Sequence, residues 1–207
     1  EASIRFLQRK KVQFLVPLGI GAHLEYWGVD PQFITELDWW EETNIDGLRI
    51  VCTPSRHFSG RKGIDNNATL WSSWTVLGKS YRVFFSGDSA MTPQFKKIGD
   101  KYGPFDITMM EAGAYNEMWA DVHLGPEQAV QAHQDLRGKV LMPIHWGTFN
   151  LALHAWTEPV ERLRVAAKAA GVTLVSPEPG EIIDVSNPSP VKEWWPTIPW
   201  ETAAQAP

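Results

Sequence analysis

The sequence is poor in cysteine, since Cys52 is the only one among 207 residues. A single cysteine excludes an intrachain disulfide, and because no export signal is recognisable we expect a cytoplasmic protein. No apolar run comes near the roughly 20 residues of a membrane-spanning helix, so we predict no transmembrane segment. Positive charge is not in excess either, because the net charge is -5. We therefore predict no nucleic-acid polymer as a partner.

Tryptophan, by contrast, is abundant, with 11 residues that include two adjacent pairs. We expect most of them to pack in the core and some to line a substrate groove or a partner surface. With 43% apolar residues the chain can form one sizeable domain, which we place at residues 1–185. Residues 186–207 are rich in proline and contain three tryptophans, so we expect an irregular tail that docks on the domain.

Strand-like and helix-like patterns alternate along the chain. The helical patterns after the first carry a proline near their start, and several patterns end at glycine or proline. This alternation predicts an α/β fold (α+β layered) in which helices cover sheets. The predicted strands are VQFLVPL, GLRIVCTP, TLWSSWTVLG, YRVFFSGD, DITMMEAG, KVLMPIH, VTLVS and EIIDV, and the predicted helices are EASIRFLQRKK, 92–101, GPEQAVQAHQDLRG and EPVERLRVAAKAAG.

Metal-binding side chains follow three of the predicted strands. His57 lies just beyond GLRIVCTP, Asp88 lies directly after VFFSG, and His145 ends KVLMPIH. Two imidazoles and one carboxylate at one sheet edge suit a divalent metal. Taken alone, a strand-end histidine is more often a hydrogen-bonded structural residue, and an aspartate after a strand frequently only caps a turn. Glu111, also near a strand end, is predicted to be a structural carboxylate.

Five segments occur in an order that is found in a known family: TPSRHFSGR, FFSGDSA, MMEAGAYNEMW, VHLGPEQAVQAH and MPIHWGTF. Through them, residues from about 1 to 185 resemble the second half of a metallo-β-lactamase-fold hydrolase. The similar branch is that of N-acylphosphatidylethanolamine phospholipase D, with the phosphorylated-lactone hydrolases nearby. The resemblance implies an αββα sandwich with a two-metal centre, in which His57 binds one metal, His145 binds the other and Asp88 bridges them.

Two further histidines, His123 and His133, match residues that lie near the substrate phosphate in this branch. The resemblance therefore implies a catalytic role for each, although His133 on a predicted helix also fits ordinary packing. His123 precedes a predicted helix start, where backbone amides attract phosphate. Tyr115 is a candidate for substrate binding through a hydrogen bond to the phosphate, with packing as the alternative.

The family carries an H-x-H-x-D-H motif ahead of the first matched helix, and these 207 residues do not contain it. We therefore expect a truncated sandwich that lacks its N-terminal half and is completed by self-association, as a homodimer that exchanges elements. With the four ligands of that motif missing, His57, Asp88 and His145 are expected to close on about one ion per chain. Zinc is favoured, with manganese or iron as alternatives.

The predicted function is metal-dependent hydrolysis of phosphodiesters by an activated water, with small or cyclic phosphodiesters favoured. His123 or His133 would protonate the leaving oxygen. Two alternatives stay open at this point. The neighbouring branch implies a lactone hydrolase, and the missing ligands imply a catalytically inert fragment that acts as an interaction module.

Overall fold

The computed structural model describes residues 2–60, 65–149 and 151–200. No helix within these ranges is long and apolar enough to span a membrane. Proline stands in the first turn of two helices, where its missing N–H is not needed. The α-helices are α1 (Ala2–Arg9), α2 (Ile20–Tyr26), α3 (Gln94–Tyr102), α4 (Pro126–Asp135) and α5 (Glu158–Ala170).

The strands form two sheets, and the α/β layered architecture predicted from the sequence is confirmed. A small parallel pair near the start of the chain consists of β1 (Phe14–Pro17) and β2 (Ile34–Leu37). The other seven strands form one sheet in sequence order, antiparallel up to the fourth of them and parallel beyond it. They are β3 (Glu42–Ile45), β4 (Leu48–Thr53), β5 (Ser73–Leu77), β6 (Arg82–Phe85), β7 (Phe105–Glu111), β8 (Gly138–Ile144) and β9 (Thr173–Leu174).

The two faces of the seven-stranded sheet differ in burial, because successive side chains of a strand point to opposite faces. On one face Val51, Phe84 and Leu141 are fully buried in a core shared with α3, α4 and α5. The opposite face carries an aligned apolar row across β5 to β8, and every member of it keeps some exposure to solvent. This half-exposed row consists of Trp74, Phe85, Met109 and Met142.

Three features of local structure differ from the sequence-based expectation. The segment EIIDV forms no strand, because it lies between proline-rich stretches, and Ile183 instead packs its side chain on the second face of the sheet. VTLVS pairs only through the two residues of β9. The short elements α2, β2 and β3 were not predicted, since elements of seven and four residues give little periodic signal.

Residues 177–200 contain no regular secondary structure and dock on the domain beside the end of β8. The rings of Trp194 and Trp195 lie 5.4 and 5.5 Å from the ring of Trp146, measured between centroids. The indole N–H of Trp194 donates to the Ser176 carbonyl, and that of Trp195 donates to Glu161. This segment therefore packs against the residue that follows His145.

Candidate metal centre

Four strands of the large sheet end at the same edge. β6, β7 and β8 are parallel neighbours, and β4 has their direction because two antiparallel pairings separate it from β6. His57, Asp88 and His145 follow β4, β6 and β8, and Glu111 is the last residue of β7. Together with His123 these residues form what we call the strand-end cluster.

Asp88 and His145 face each other across this edge. Oδ2 of Asp88 lies 3.6 Å from Nε2 of His145, with 45% and 24% of the two side chains exposed. This separation is too long for a hydrogen bond. It is close to the roughly 3.4 Å expected between two atoms that bind one tetrahedral zinc at about 2.1 Å each. The pair is thus spaced for an ion that both groups share.

His57 has a ring nitrogen that no group in the described part of the chain contacts through a hydrogen bond. Its Nδ1 lies 2.8 Å from the carbonyl oxygen of Phe58 and donates to it, and its ring stacks on the Phe58 ring. Because Nδ1 carries the proton, Nε2 keeps its lone pair. This buried Nε2 has no hydrogen-bond partner among the described residues. A metal-binding histidine has this arrangement, with the second nitrogen held by a backbone carbonyl.

Glu111 lies beneath the histidines and is fully buried. One of its carboxylate oxygens accepts the backbone N–H of Ser89, and the other is hydrogen-bonded to Nδ1 of His123. The second oxygen also lies 3.5 Å from Nδ1 of His145. Burial raises the pKa of Glu111 to about 9; the Ser89 N–H opposes this shift, and the charge of Asp88 adds to it.

His123 completes the cluster. Its ring centroid lies 5.4 Å from that of His57 and 5.2 Å from that of His145, on which it stacks. Burial lowers the pKa of His123, while the charge of Asp88 opposes that shift, so the ring is held neutral. A neutral imidazole is the form that binds a metal or exchanges a proton.

The cluster fits a divalent metal ion. Glu111, His123 and His145 each offer one ligand atom, and these atoms lie within 4.8 Å of one another. Nδ1 of His145, like Nε2 of His57, is a buried nitrogen without a hydrogen-bond partner among the described residues. Buried polar atoms of this kind are costly unless an ion or another group satisfies them. We therefore regard the cluster as a candidate divalent metal site.

The backbone fixes the position of His145. Its φ of 64° lies in the left-handed region and turns the chain sharply where β8 ends. Gly113 lies directly against this turn, because a Cβ at Gly113 would stand 2.1 Å from the carbonyl oxygen of His145. Only glycine fits such a close approach of two backbones.

His133 and Tyr115 lie apart from the cluster. His133 is 2% exposed, and its Nδ1 is hydrogen-bonded to Thr108 Oγ1 at 2.6 Å. Its ring also lies against Gly138, where β8 begins, whereas His145 follows the end of that strand, roughly 20 Å away. The hydroxyl of Tyr115 donates to Glu158 at 2.7 Å. The structure thus brings His57, Asp88, His123 and His145 together but not these two residues.

Glu111 is the member of the cluster that sequence reasoning assigned to structure alone. Its position did contain a signal, because the strand that ends at Glu111 lies between the strands that precede Asp88 and His145. Side chains at adjacent carboxyl ends of parallel strands converge. What the sequence does not reveal is that the Ser89 N–H holds this carboxylate beneath two histidines.

A cavity of about 220 Å³ opens beside His145. His154 lies in its wall; the Nδ1 of His154 donates to the Ala155 carbonyl, and its ring stacks on Tyr115 at 4.3 Å. The wall is otherwise mainly apolar, so the cavity suits a compact apolar group next to the candidate ion. Its large apolar side chains are Trp146, Phe149, Leu151 and Trp156.

Comparison with known families agrees with this geometry. A family model described as a β-lactamase superfamily domain matches residues 2–146, a range that holds the whole strand-end cluster. The chain belongs to the β-lactamase superfamily. The metallo-β-lactamase fold expected from the sequence motifs is therefore confirmed.

Similar proteins occur in bacteria, animals and archaea. An uncharacterized protein of Mycobacterium tuberculosis is 48% identical over 189 residues, which cover 90% of this chain and 50% of that protein. N-acyl-phosphatidylethanolamine-hydrolyzing phospholipase D 1 of Caenorhabditis elegans is 33% identical, over 86% of this chain and 54% of its own length. The chain thus spans about half the length of the curated relatives it matches.

Among solved structures, Igni18, a metallo hydrolase from Ignicoccus hospitalis, superimposes with a TM-score of 0.68. The match covers 86% of this chain and 71% of that protein, at 22% sequence identity. At this identity the likeness shows a shared fold. A shared fold does not determine the reaction, which depends on the residues of the cluster.

Proposed function

We propose that this protein is a metal-dependent hydrolase that cleaves phosphodiester bonds, with His57, Asp88 and His145 holding about one divalent ion. The observation that carries the proposal is the facing pair of Asp88 and His145, spaced as two ligands of one ion, beside the bare Nε2 of His57. Two imidazoles and a carboxylate suit zinc, with manganese or iron as alternatives.

The proposed ion and His123 then have separate chemical roles. An ion held here would supply Lewis acidity and a water whose pKa is lowered toward roughly 7. The neutral ring of His123 lies beside that site, and Glu111 holds its Nδ1. We therefore assign to its free Nε2 the uptake of a proton from the attacking water and the delivery of that proton to the leaving oxygen. The buried environment strengthens these interactions because less water screens them.

The similar proteins and the cavity support a phosphodiester as the substrate. The relative from C. elegans is named a phospholipase D, and an enzyme of that kind hydrolyses a phosphodiester. The cavity beside His145 is compact and mainly apolar, which favours a small phosphodiester with an apolar or cyclic substituent. We further propose that the protein acts in the cytoplasm as a homodimer, through the half-exposed face of its sheet.

The test is hydrolysis by purified protein loaded with Zn²⁺ or Mn²⁺. The panel contains bis-p-nitrophenyl phosphate, a 3′,5′-cyclic nucleotide and a simple lactone. We expect phosphodiester turnover that EDTA abolishes and that is lost in His57→Ala, whereas His23→Ala, which changes an exposed histidine on α2, keeps it. No phosphodiester turnover above the His57→Ala background would refute the proposal. Turnover of the lactone alone would favour the lactone hydrolase instead.

A further inference from the structure

We infer that Glu111 is a positioning residue: its carboxylate accepts the Nδ1–H of His123, lies 3.5 Å from Nδ1 of His145 and so aims Nε2 of each ring at the open side of the cluster. The inference deepens the proposed function and rests on it for the identity of the metal ligands. It assigns Glu111 to the support of the site, beneath the ligands, and not to the ligands themselves.

The surroundings of Glu111 favour hydrogen bonding over direct metal binding. One carboxylate oxygen already accepts the Ser89 N–H, and the backbone N–H of Glu111 itself donates to Ser86 Oγ. The other oxygen is in direct hydrogen-bond contact with Nδ1 of His123, which leaves no room for an ion between the two atoms. The carboxylate is also fully buried, whereas Asp88 is partly exposed.

The orientation of the two rings agrees with a shared acceptor below them. His123 and His145 stack with an angle of 18° between their planes, so that the two rings have nearly the same orientation. Nδ1 of His145 lies 3.5 Å from the same Glu111 oxygen that His123 contacts. The opposite nitrogen of His145, Nε2, faces Asp88 at 3.6 Å. One carboxylate oxygen thus lies behind both rings, hydrogen-bonded to His123 and 3.5 Å from Nδ1 of His145.

The consequence is chemical, because the proton on Nδ1 decides what Nε2 can do. Nε2 of His145 can bind a metal only if the ring proton resides on Nδ1, and a carboxylate acceptor stabilises that tautomer. In water a histidine ring favours the other tautomer, with the proton on Nε2. Glu111 is therefore needed to prepare His145 as a ligand and His123 as a proton carrier, before any substrate arrives.

The test is the tautomer of each histidine, read by long-range ¹H–¹⁵N NMR of the metal-free protein at a pH above 9, where Glu111 is ionised, and repeated with Zn²⁺. We expect His123 and His145 in the Nδ1–H form in the wild type and a shift to the Nε2–H form in Glu111→Ala. The affinity for Zn²⁺ should fall about 10–100-fold, as on loss of other carboxylate partners of metal-binding histidines. Glu111→Gln retains one acceptor oxygen and should preserve the His123 tautomer and part of the affinity.

Glu158→Gln is the matched control, because Glu158 is another largely buried carboxylate that lies outside the cluster. It should leave both tautomers and the affinity unchanged. The inference is overturned if Glu111→Ala folds, as judged by its backbone spectrum, and keeps both Nδ1–H tautomers. It is also overturned if wild-type protein already has Nε2–H rings. A wild type with the expected tautomers that hydrolyses no phosphodiester would refute the proposed function and leave the role of Glu111 supported.

Discussion

Nε2 of His145 lies 3.6 Å from Oδ2 of Asp88, although the two residues follow different strands of the sheet. The two atoms are too far apart for a hydrogen bond. Because β6 and β8 are both parallel neighbours of β7, their carboxyl ends converge and hold the two groups at this spacing. The relationship leads to a direct test of metal binding.

Replacing Asp88 by asparagine should remove the ion and leave the fold intact. The amide has the same shape as the carboxylate but no charge, and Asp88 is exposed enough that its loss leaves no buried gap. We expect the affinity for Zn²⁺ to fall by more than the roughly 100-fold that loss of an outer hydrogen-bond partner costs. Elemental analysis after dialysis measures the ion, and thermal unfolding checks the fold.

Asp100→Asn is the control for this experiment, because Asp100 is an exposed carboxylate on α3, paired with Lys96. It should bind as much metal as the wild type. An Asp88→Asn protein that holds a full ion per chain would contradict the assignment of Asp88 as a ligand.

The stability of the metal-free protein should depend on the pH through His133. Burial lowers the pKa of His133 from its ordinary value of 6.5 to about 4. Between these two values the unfolded chain binds more protons than the folded one, so stability falls as the pH drops from 6.5 toward 4 and is recovered above 6.5. The free energy of unfolding is lower by about 3 kcal/mol once the pH has fallen from above 6.5 to below 4.

Urea unfolding at a series of pH values, with EDTA present, measures this dependence. His133→Gln keeps a polar group beside Thr108 but cannot titrate, so its free energy of unfolding should fall less steeply below pH 6.5 than that of the wild type. Equal slopes for the two proteins would show that His133 is not the group responsible. Comparing the two proteins cancels the titration of the other groups, including Glu111.

Most of the strands and helices, and His57, Asp88 and His145 of the cluster, could be predicted because their signals are local. Apolar alternation marks β4 and continuous apolar runs mark β7 and β8. His57, Asp88 and His145 are metal-type residues just beyond strand patterns. His133 shows where such reasoning ends. The sequence pattern around a helical histidine is the same whether the side chain faces a site or packs in the core. The position of α4 on the sheet determines that His133 contacts Thr108.

The remaining parts of the site depend on contacts between distant segments. Glu111 is recognisable as more than a structural carboxylate only when Ser89 and His123, on separate loops, are placed around it. The same applies to Gly113, whose close approach to His145 requires β7 and β8 to be neighbours. Periodicity predicts elements, but it carries no information on which loops meet.

Self-association through the second face of the sheet stays a prediction, and Phe85 offers a test of it. Phe85 lies at the centre of the half-exposed row and is 39% exposed, so a charge there would disfavour an apolar interface. We expect a dimer for the wild type and a monomer for Phe85→Lys, measured by light scattering after size exclusion. Val165→Lys, on the exposed side of α5, should remain a dimer. A monomeric wild type would contradict the prediction.

The docked C-terminal segment should stabilise both the domain and the metal centre, through Trp195. This ring is 6% exposed, meets Trp146 edge to face and donates its N–H to Glu161 at 2.7 Å. Trp195→Ala should therefore cost about 3–5 kcal/mol of unfolding free energy, as truncation of a buried tryptophan does elsewhere. Because Trp146 directly follows His145, the loosened packing should also release Zn²⁺ at a lower chelator concentration.

Trp195→Phe separates packing from the hydrogen bond, since it keeps an aromatic ring against Trp146 but cannot donate to Glu161. If packing supports His145, the phenylalanine variant retains the metal affinity of the wild type even though it loses some stability. Urea unfolding and competition with a chelator measure the two quantities on the same samples. A Trp195→Ala protein that is destabilised but binds Zn²⁺ as tightly as the wild type would show that the segment stabilises the fold without supporting the metal centre.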